Sequence, residues 1–159
     1  MPIDINKEEI YQTVGKGVDF ALKEFRREYL PSRLLVDMLD TWPEEDVELF
    51  LASYPETPSM LLERLAYTCK RPQVLCAVAS HPRTSAKVMQ DLASHDEDEV
   101  RLMLAANKQI SPQTAALLSE DDSIFVRALL AANPALPTRI MKHLVTDPAP
   151  MVRAVFCTH

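Results

Sequence analysis

Arg101, Arg127 and Arg153 stand 26 residues apart, and each follows a valine in the phrase Val-Arg. A guanidinium repeated at fixed spacing can build a ladder that receives carboxylates or phosphates, because its planar fork matches both. Two readings follow. In the first, the arginines pair with acids of the chain itself, Asp96, Asp122 and Asp147, which recur at a similar offset. In the second, Arg101, Arg127 and Arg153 form a basic strip for an acidic partner and are the candidate partner surface. The nearby acids favour the first reading.

Other reactive side chains do not gather into a motif. Cys69, Cys76 and Cys157 include no Cys-x-x-Cys pair, and iron–sulfur ligation ordinarily takes four thiolates. His81, His95 and Cys76 lack the spacing of a zinc site. Gly15-Lys16-Gly17 lacks the remainder of a phosphate loop and lies within a helical periodicity. Neither Gly-x-Ser-x-Gly nor His-Glu-x-x-His occurs. The expectation is a protein with no catalytic, cofactor-binding or metal-ligating residue, not an enzyme, and without a cofactor.

Composition narrows the classes further. The chain has 159 residues, enough for a substantial core, and 47% of them are hydrophobic. A formal charge of −6 argues against a broad surface for nucleic acid or an anionic membrane. No apolar run approaches the ~20 residues of a membrane span. The opening "MPIDINKEEIYQ" lacks a basic-then-apolar signal region. With the unframed cysteines this points to a cytoplasmic protein.

The elements that position the arginines repeat with them. "VELFLASYP" from Val47, "VLCAVASHP" from Val74, "VRLMLAANK" from Val100, "VRALLAANP" from Val126 and "VRAVFCTH" from Val152 align without gaps. Their fifth column is Leu51, Val78, Leu104, Leu130 and Phe156; their sixth is Ala52, Ala79, Ala105, Ala131 and Cys157. Large residues at one and five with a small one at six have helical spacing and a face for close packing. Cys157 fits the small column by packing alone. Tyr54, His81, Asn107, Asn133 and His159 share a later column, where a polar side chain can bond the backbone at a bend.

A second helix follows in each unit, with Leu65, Leu92, Leu118 and Leu144 in one column. Leu61, Val88, Thr114 and Ile140 form another. Thr57-Pro58 and Ser111-Pro112 read as an N-cap followed by proline at the first helical position. In "HDEDEVR", Asp96 is placed to cap while Glu99 reaches back. Residues 1–46 escape the period: Ile5 to Tyr29 reads as one amphipathic helix and "SRLLVDMLD" from Ser32 as another. The expected fold is all-α, a right-handed α-solenoid of about four to five 26-residue repeats over 47–159 with an N-terminal helical cap over 1–46. Val155 and Phe156 close the last unit, so apolar area there is expected to support weak self-association through the C-terminal edge.

"NPALPTRIMKHLVTDPAPMVRAV", from Asn133 to Val155, resembles the leucine-rich repeat variant family, whose units read roughly Asn-Pro-x-Thr-Pro, an apolar helix, Asp-Pro-x-Pro and Val-Arg. "YPETP", "HPRTS", "NKQIS" and "NPALP" fill the first slot, and the resemblance spans Val47 to His159. It implies α-helices alternating with short 3₁₀ helices in a right-handed superhelix. The family's N-terminal cysteine cluster for a four-iron centre has no counterpart before Cys69 and does not carry over. The expected role is a non-catalytic module binding a protein partner, with no nucleic acid and no membrane. The alternatives are a nucleic-acid-binding helical-repeat protein and a metal or redox protein of the same repeat family.

Overall fold

The computed structural model describes residues 6–25 and 29–157. Among these residues the structure is all-helical, with no strand. The chain divides into two compact units, Met1–Arg83 and Thr84–His159.

The first unit holds α1 (Lys7–Val14), α2 (Val18–Glu24), α3 (Ser32–Thr41), α4 (Glu45–Ser53), α5 (Ser59–Thr68) and α6 (Pro72–Ser80). Asn6 starts α1 by accepting a hydrogen bond from the Glu9 amide at 2.9 Å. The single helix expected from Ile5 to Tyr29 is broken at Gly17, whose φ of 129° belongs to the region that favours glycine. The break resets the helical phase. Of the apolar face that the periodicity predicts, Ile10, Val14, Val18, Leu22 and Phe25, the residues Ile10, Val14 and Phe25 are buried, while beyond the break Ala21 faces inward and Val18 and Leu22 are half-buried. Ile5 and residues 26–28 lie outside the described residues.

α4 is the hub of this unit, packing against α1, α2, α3, α5 and α6. Its Phe50 meets Phe25 edge-on at 6.2 Å and stacks with Tyr54 at 5.8 Å. The Tyr54 hydroxyl then accepts from the Leu30 amide at 3.1 Å, which satisfies the one polar atom of a buried ring.

The second unit holds α7 (Ala86–Leu92), α8 (Asp98–Ala106), α9 (Pro112–Ser119), α10 (Ile124–Ala131), α11 (Thr138–Leu144) and α12 (Pro150–Ala154), then a 3₁₀ turn (Val155–Cys157). α10 packs between α8 and α12, while α9 packs between α7 and α11. The helices therefore form two rows. Isolated helices of this length are unstable in water, so each depends on its neighbours in the rows.

The repeated columns set the core in both units. Val47, Val74, Val100, Val126 and Val152 are all buried, as are Leu65, Leu92, Leu118 and Leu144. Ala52, Ala79, Ala105 and Ala131 are buried too, and the absence of longer side chains there lets neighbouring backbones approach. Ser111 caps α9 by accepting from the Thr114 amide, with Pro112 at the first helical position. Ser85 does the same for α7 through the Val88 amide.

Four local expectations are corrected. Both helices of each unit are α, where the family resemblance implied alternation with 3₁₀. Thr57 does not cap α5; its hydroxyl turns back to the Leu51 carbonyl at 2.6 Å, and Pro58 holds the cap position. Asp96 does not cap α8, which starts from Glu97 without a side-chain bond. Cys157 is exposed, because its turn has left the α-helical register that buries the alanines.

Candidate functional site

The Val-Arg phrase places each guanidinium on the first full turn of its helix, beside the chain that leads into that helix. Arg127 Nη1 donates to the carbonyls of Asp121 at 2.7 Å and Asp122 at 3.4 Å. Arg101 Nη1 makes the same pair of contacts with His95 at 2.6 Å and Asp96 at 3.1 Å. Arg153 Nη1 repeats them with Asp147 at 2.7 Å and Pro148 at 3.0 Å. The arginine thus ties down backbone acceptors just before its own helix.

The other edge of the fork reaches forward. Arg101 Nε and Nη2 donate to the Asp121 carboxylate at 2.8 and 3.3 Å, and Arg127 Nε and Nη2 donate to Asp147 at 2.8 and 3.1 Å. Each acid lies 20 residues after its arginine, in the turn that opens the next unit. Its Oδ1 also accepts the amide two residues on, Ser123 for Asp121 and Ala149 for Asp147. One carboxylate therefore closes its own turn and receives the preceding unit's arginine. The Arg127 and Asp147 side chains are only 11% and 3% exposed. The Arg127 guanidinium holds the Asp147 carboxyl below the usual carboxylate range, and Asp147 in return raises the Arg127 pKa.

Pairing within the chain is thus found, but with other acids than the sequence suggested. Asp96 and Asp122 supply backbone carbonyls rather than carboxylates, and Asp147 pairs with Arg127 rather than Arg153. Asp121, the residue that serves Arg101, was missed because its neighbour Asp122 is also acidic. The signal that finds it is the column Cys69, His95, Asp121 and Asp147, set by the 26-residue period.

At the same column in the first unit the polarity reverses. Glu48 stands in the arginine column, buried, and its carboxylate accepts from the Cys69 thiol at 3.3 Å and pairs with Arg71. Cys69 Sγ accepts the Arg71 amide, as the aspartates accept theirs. Burial pushes the Cys69 thiol pKa up, so it sits as a neutral donor to Glu48.

The bend column forms a second polar rung. Asn133 Nδ2 donates to the carbonyls of Ala105 at 2.6 Å and Asn107 at 2.9 Å, and its Oδ1 accepts the Ala135 amide at 2.8 Å. His81 does this with an imidazole: Nε2 lies 2.9 Å from the Tyr54 carbonyl, and Nδ1 accepts the Arg83 amide at 3.1 Å. These contacts select the neutral tautomer with the proton on Nε2. His159 lies outside the described residues. Among the described residues no group of three or more His, Cys, Asp or Glu could hold a metal ion.

A groove of about 460 Å³ runs between α9 and α11 and brings Ser119, Glu120 and His143 together. His143 Nε2 lies 2.8 Å from Glu120 Oε1, but the Ser119 hydroxyl donates to the Ala116 carbonyl at 2.7 Å. A serine nucleophile needs its proton directed at the base, and here it is directed at the backbone. Large apolar side chains also face water. Phe125 and Met151, 63% and 51% exposed, occupy the same position on the adjoining helices α10 and α12. Ile124, next to Phe125 in sequence, is exposed as well. Val155 and Phe156 are half-buried, and no helix among the described residues is long and apolar enough to cross a membrane.

No family model matches the chain, and neither a curated protein nor a solved structure matches it.

Two predictions follow from these rungs. Arg127→Met is expected to lose about 3 kcal/mol of stability, because it leaves the Asp147 carboxylate buried without its partner. Asp147→Asn keeps the acceptor for Ala149 and removes the charge. Chemical denaturation of the double variant should show a loss smaller than the sum of the singles by at least ~0.5 kcal/mol; additivity would separate the two side chains.

Burial depresses the His81 pKa below its ordinary value of 6.5. The unfolded chain therefore takes up this proton first on acidification. The stability contributed by neutral His81 is complete above about pH 6.5, falls as the pH drops from there through the depressed native value, and levels off below it. His81→Asn offers the same acceptor and donor as Asn133 without titrating. Its stability measured from pH 7.5 to 5 should fall less than the parent's, and parallel curves would contradict the assignment.

Proposed function

We propose that the chain is a non-catalytic protein-interaction module, built as a right-handed α-solenoid of four to five 26-residue repeats with an N-terminal helical cap. The observation that carries this reading is a division of labour within the repeat. Polar side chains that could do chemistry are spent on the backbone and on each other, as in Arg101, Arg127, Asn133 and His81. Large apolar side chains at one repeated position, Phe125 and Met151, are left in water. Exposed apolar residues aligned on adjoining helices form the kind of patch that marks a protein contact. The net charge of −6 turns the choice of partner toward protein and away from nucleic acid. The Val-Arg and Asp-Pro-x-Pro phrases that resemble leucine-rich repeat variants support the stacked architecture.

The architecture is tested by small-angle scattering. A solenoid should give a radius of gyration clearly above the roughly 15 Å of a compact chain of this length, and a value at that figure would exclude it. The binding role is tested by comparing proteins captured from the native cell by the parent and by a Phe125→Ser/Met151→Ser variant. Both substitutions lie in water, so the melting temperature should hold while the captured set is lost. Identical capture would overturn this surface as the site.

A further inference from the structure

We propose that the surface at the adjoining starts of α8 and α10 receives a basic amphipathic segment of a partner protein. Its lysine or arginine side chains would meet carboxylates of this surface, and its apolar side chains would cover Ile124 and Phe125. The inference rests on the interaction-module reading and names the chemistry of the partner at that surface.

Two juxtapositions carry it. The first lies in the repeat. Asp98 and Glu99 begin α8 as Ile124 and Phe125 begin α10, at the same place in the 26-residue period, and the two helices pack together. One helix start thus sets two exposed carboxylates beside the two exposed apolar side chains of the next.

The second lies in the turns that lead into these helices. A cleft of about 550 Å³ opens between the turns, lined by Asp96, Asp98, Glu120, Asp121 and Asp122, with the exposed Leu117 as an apolar wall. Its one arginine, Arg101, is already held by Asp98 at 2.6 Å and Asp121 at 2.8 Å. Glu120 lies 2.8 Å from His143. Asp96, Glu99 and Asp122 are exposed and form no ion pair among the described residues.

Carboxylates gathered in adjoining turns repel one another, and a cationic partner relieves that repulsion. Charge alone would attract any cation. The apolar step beside the carboxylates selects a segment that also carries large apolar side chains, whose burial on Ile124 and Phe125 is not screened by salt. An acidic or purely apolar segment would cover the same carboxylates without pairing them, which is costly.

The test titrates the ¹⁵N-labelled 159-residue chain with the unlabelled peptide LKKLLKKLLKKL and follows the backbone amides. Saturable shifts are expected at residues 96–99 and 117–125, and none with the counterpart LEELLEELLEEL. Raising the salt from about 0.05 M to about 0.5 M should weaken binding roughly tenfold. Asp96→Asn/Glu99→Gln/Asp122→Asn should weaken it at least ~fivefold while the melting temperature holds, because these side chains lie in water. Phe125→Ser should weaken it as well. Equal affinity for the two peptides, shifts centred elsewhere, or the parent's affinity in the carboxylate variant would overturn the proposal. Shifts that follow protein concentration without peptide would give the surface to a second copy of the chain and overturn it too. The module reading is judged separately. If Phe125→Ser/Met151→Ser loses captured proteins while the carboxylate variant captures the parent's set, the basic partner fails and the module stands; if neither variant changes capture, both fail.

Discussion

The contact on which the second unit depends is the arginine that faces two ways. Arg127 holds the carbonyls that precede its own helix and, with its other edge, the aspartate that opens the next turn. A helix of five to ten residues cannot fix its own start by propensity alone. Here the start of α12 is set by Asp147, whose carboxylate is positioned at once by the Ala149 amide and by Arg127. The turn and the preceding helix therefore order each other. The apolar columns supply the attraction between rows, but they are nondirectional and tolerate a slip. The guanidinium–carboxylate fork does not tolerate it, so it fixes register.

This constraint accounts for where the repeat varies. An aspartate buried at the turn is stable only with the preceding arginine, since an unpaired carboxylate there carries a large desolvation penalty. Positions 121 and 147, which follow Arg101 and Arg127, are aspartate. Position 95 is histidine, whose Nδ1 accepts the Glu97 amide. Position 69 follows Glu48 and is cysteine, a neutral thiol that can donate to that carboxylate. The turn's amide acceptor is kept each time, and at positions 69, 121 and 147 its charge suits the side chain it meets. His81 and Asn133 show the same economy at the bend, where imidazole and amide offer equivalent acceptor and donor edges.

The forks and the bend column engage Arg101, Arg127, Asn133 and His81 with the chain itself, while Ile124, Phe125 and Met151 stay exposed. Substitutions at such exposed positions leave the forks and columns intact. Arg153 joins the frame through its seat on the Asp147 and Pro148 carbonyls.

The sequence by itself determined the period, the helical class and the core columns. Val100, Leu104, Ala105 and Leu118 are buried because i, i+4 and i+5 spacing puts large and small residues on one face whatever surrounds the helix. It also determined the Ser111-Pro112 helix start, which is a local hydrogen bond. Only the tertiary structure decided which acid each arginine meets. Asp121 and Asp122 are equivalent in charge and adjacent in sequence, and the choice falls to Asp121 because its side chain closes the turn facing α8. The glycine at position 17 permits the break, but only packing against α4 decided that the apolar periodicity from Ile10 to Phe25 is interrupted there. The same holds for Cys157, small enough for the alanine column but exposed once its segment tightens into a 3₁₀ turn. Spacing fixes what a residue can reach along its own helix; contacts 20 or more residues apart depend on how the helices stack.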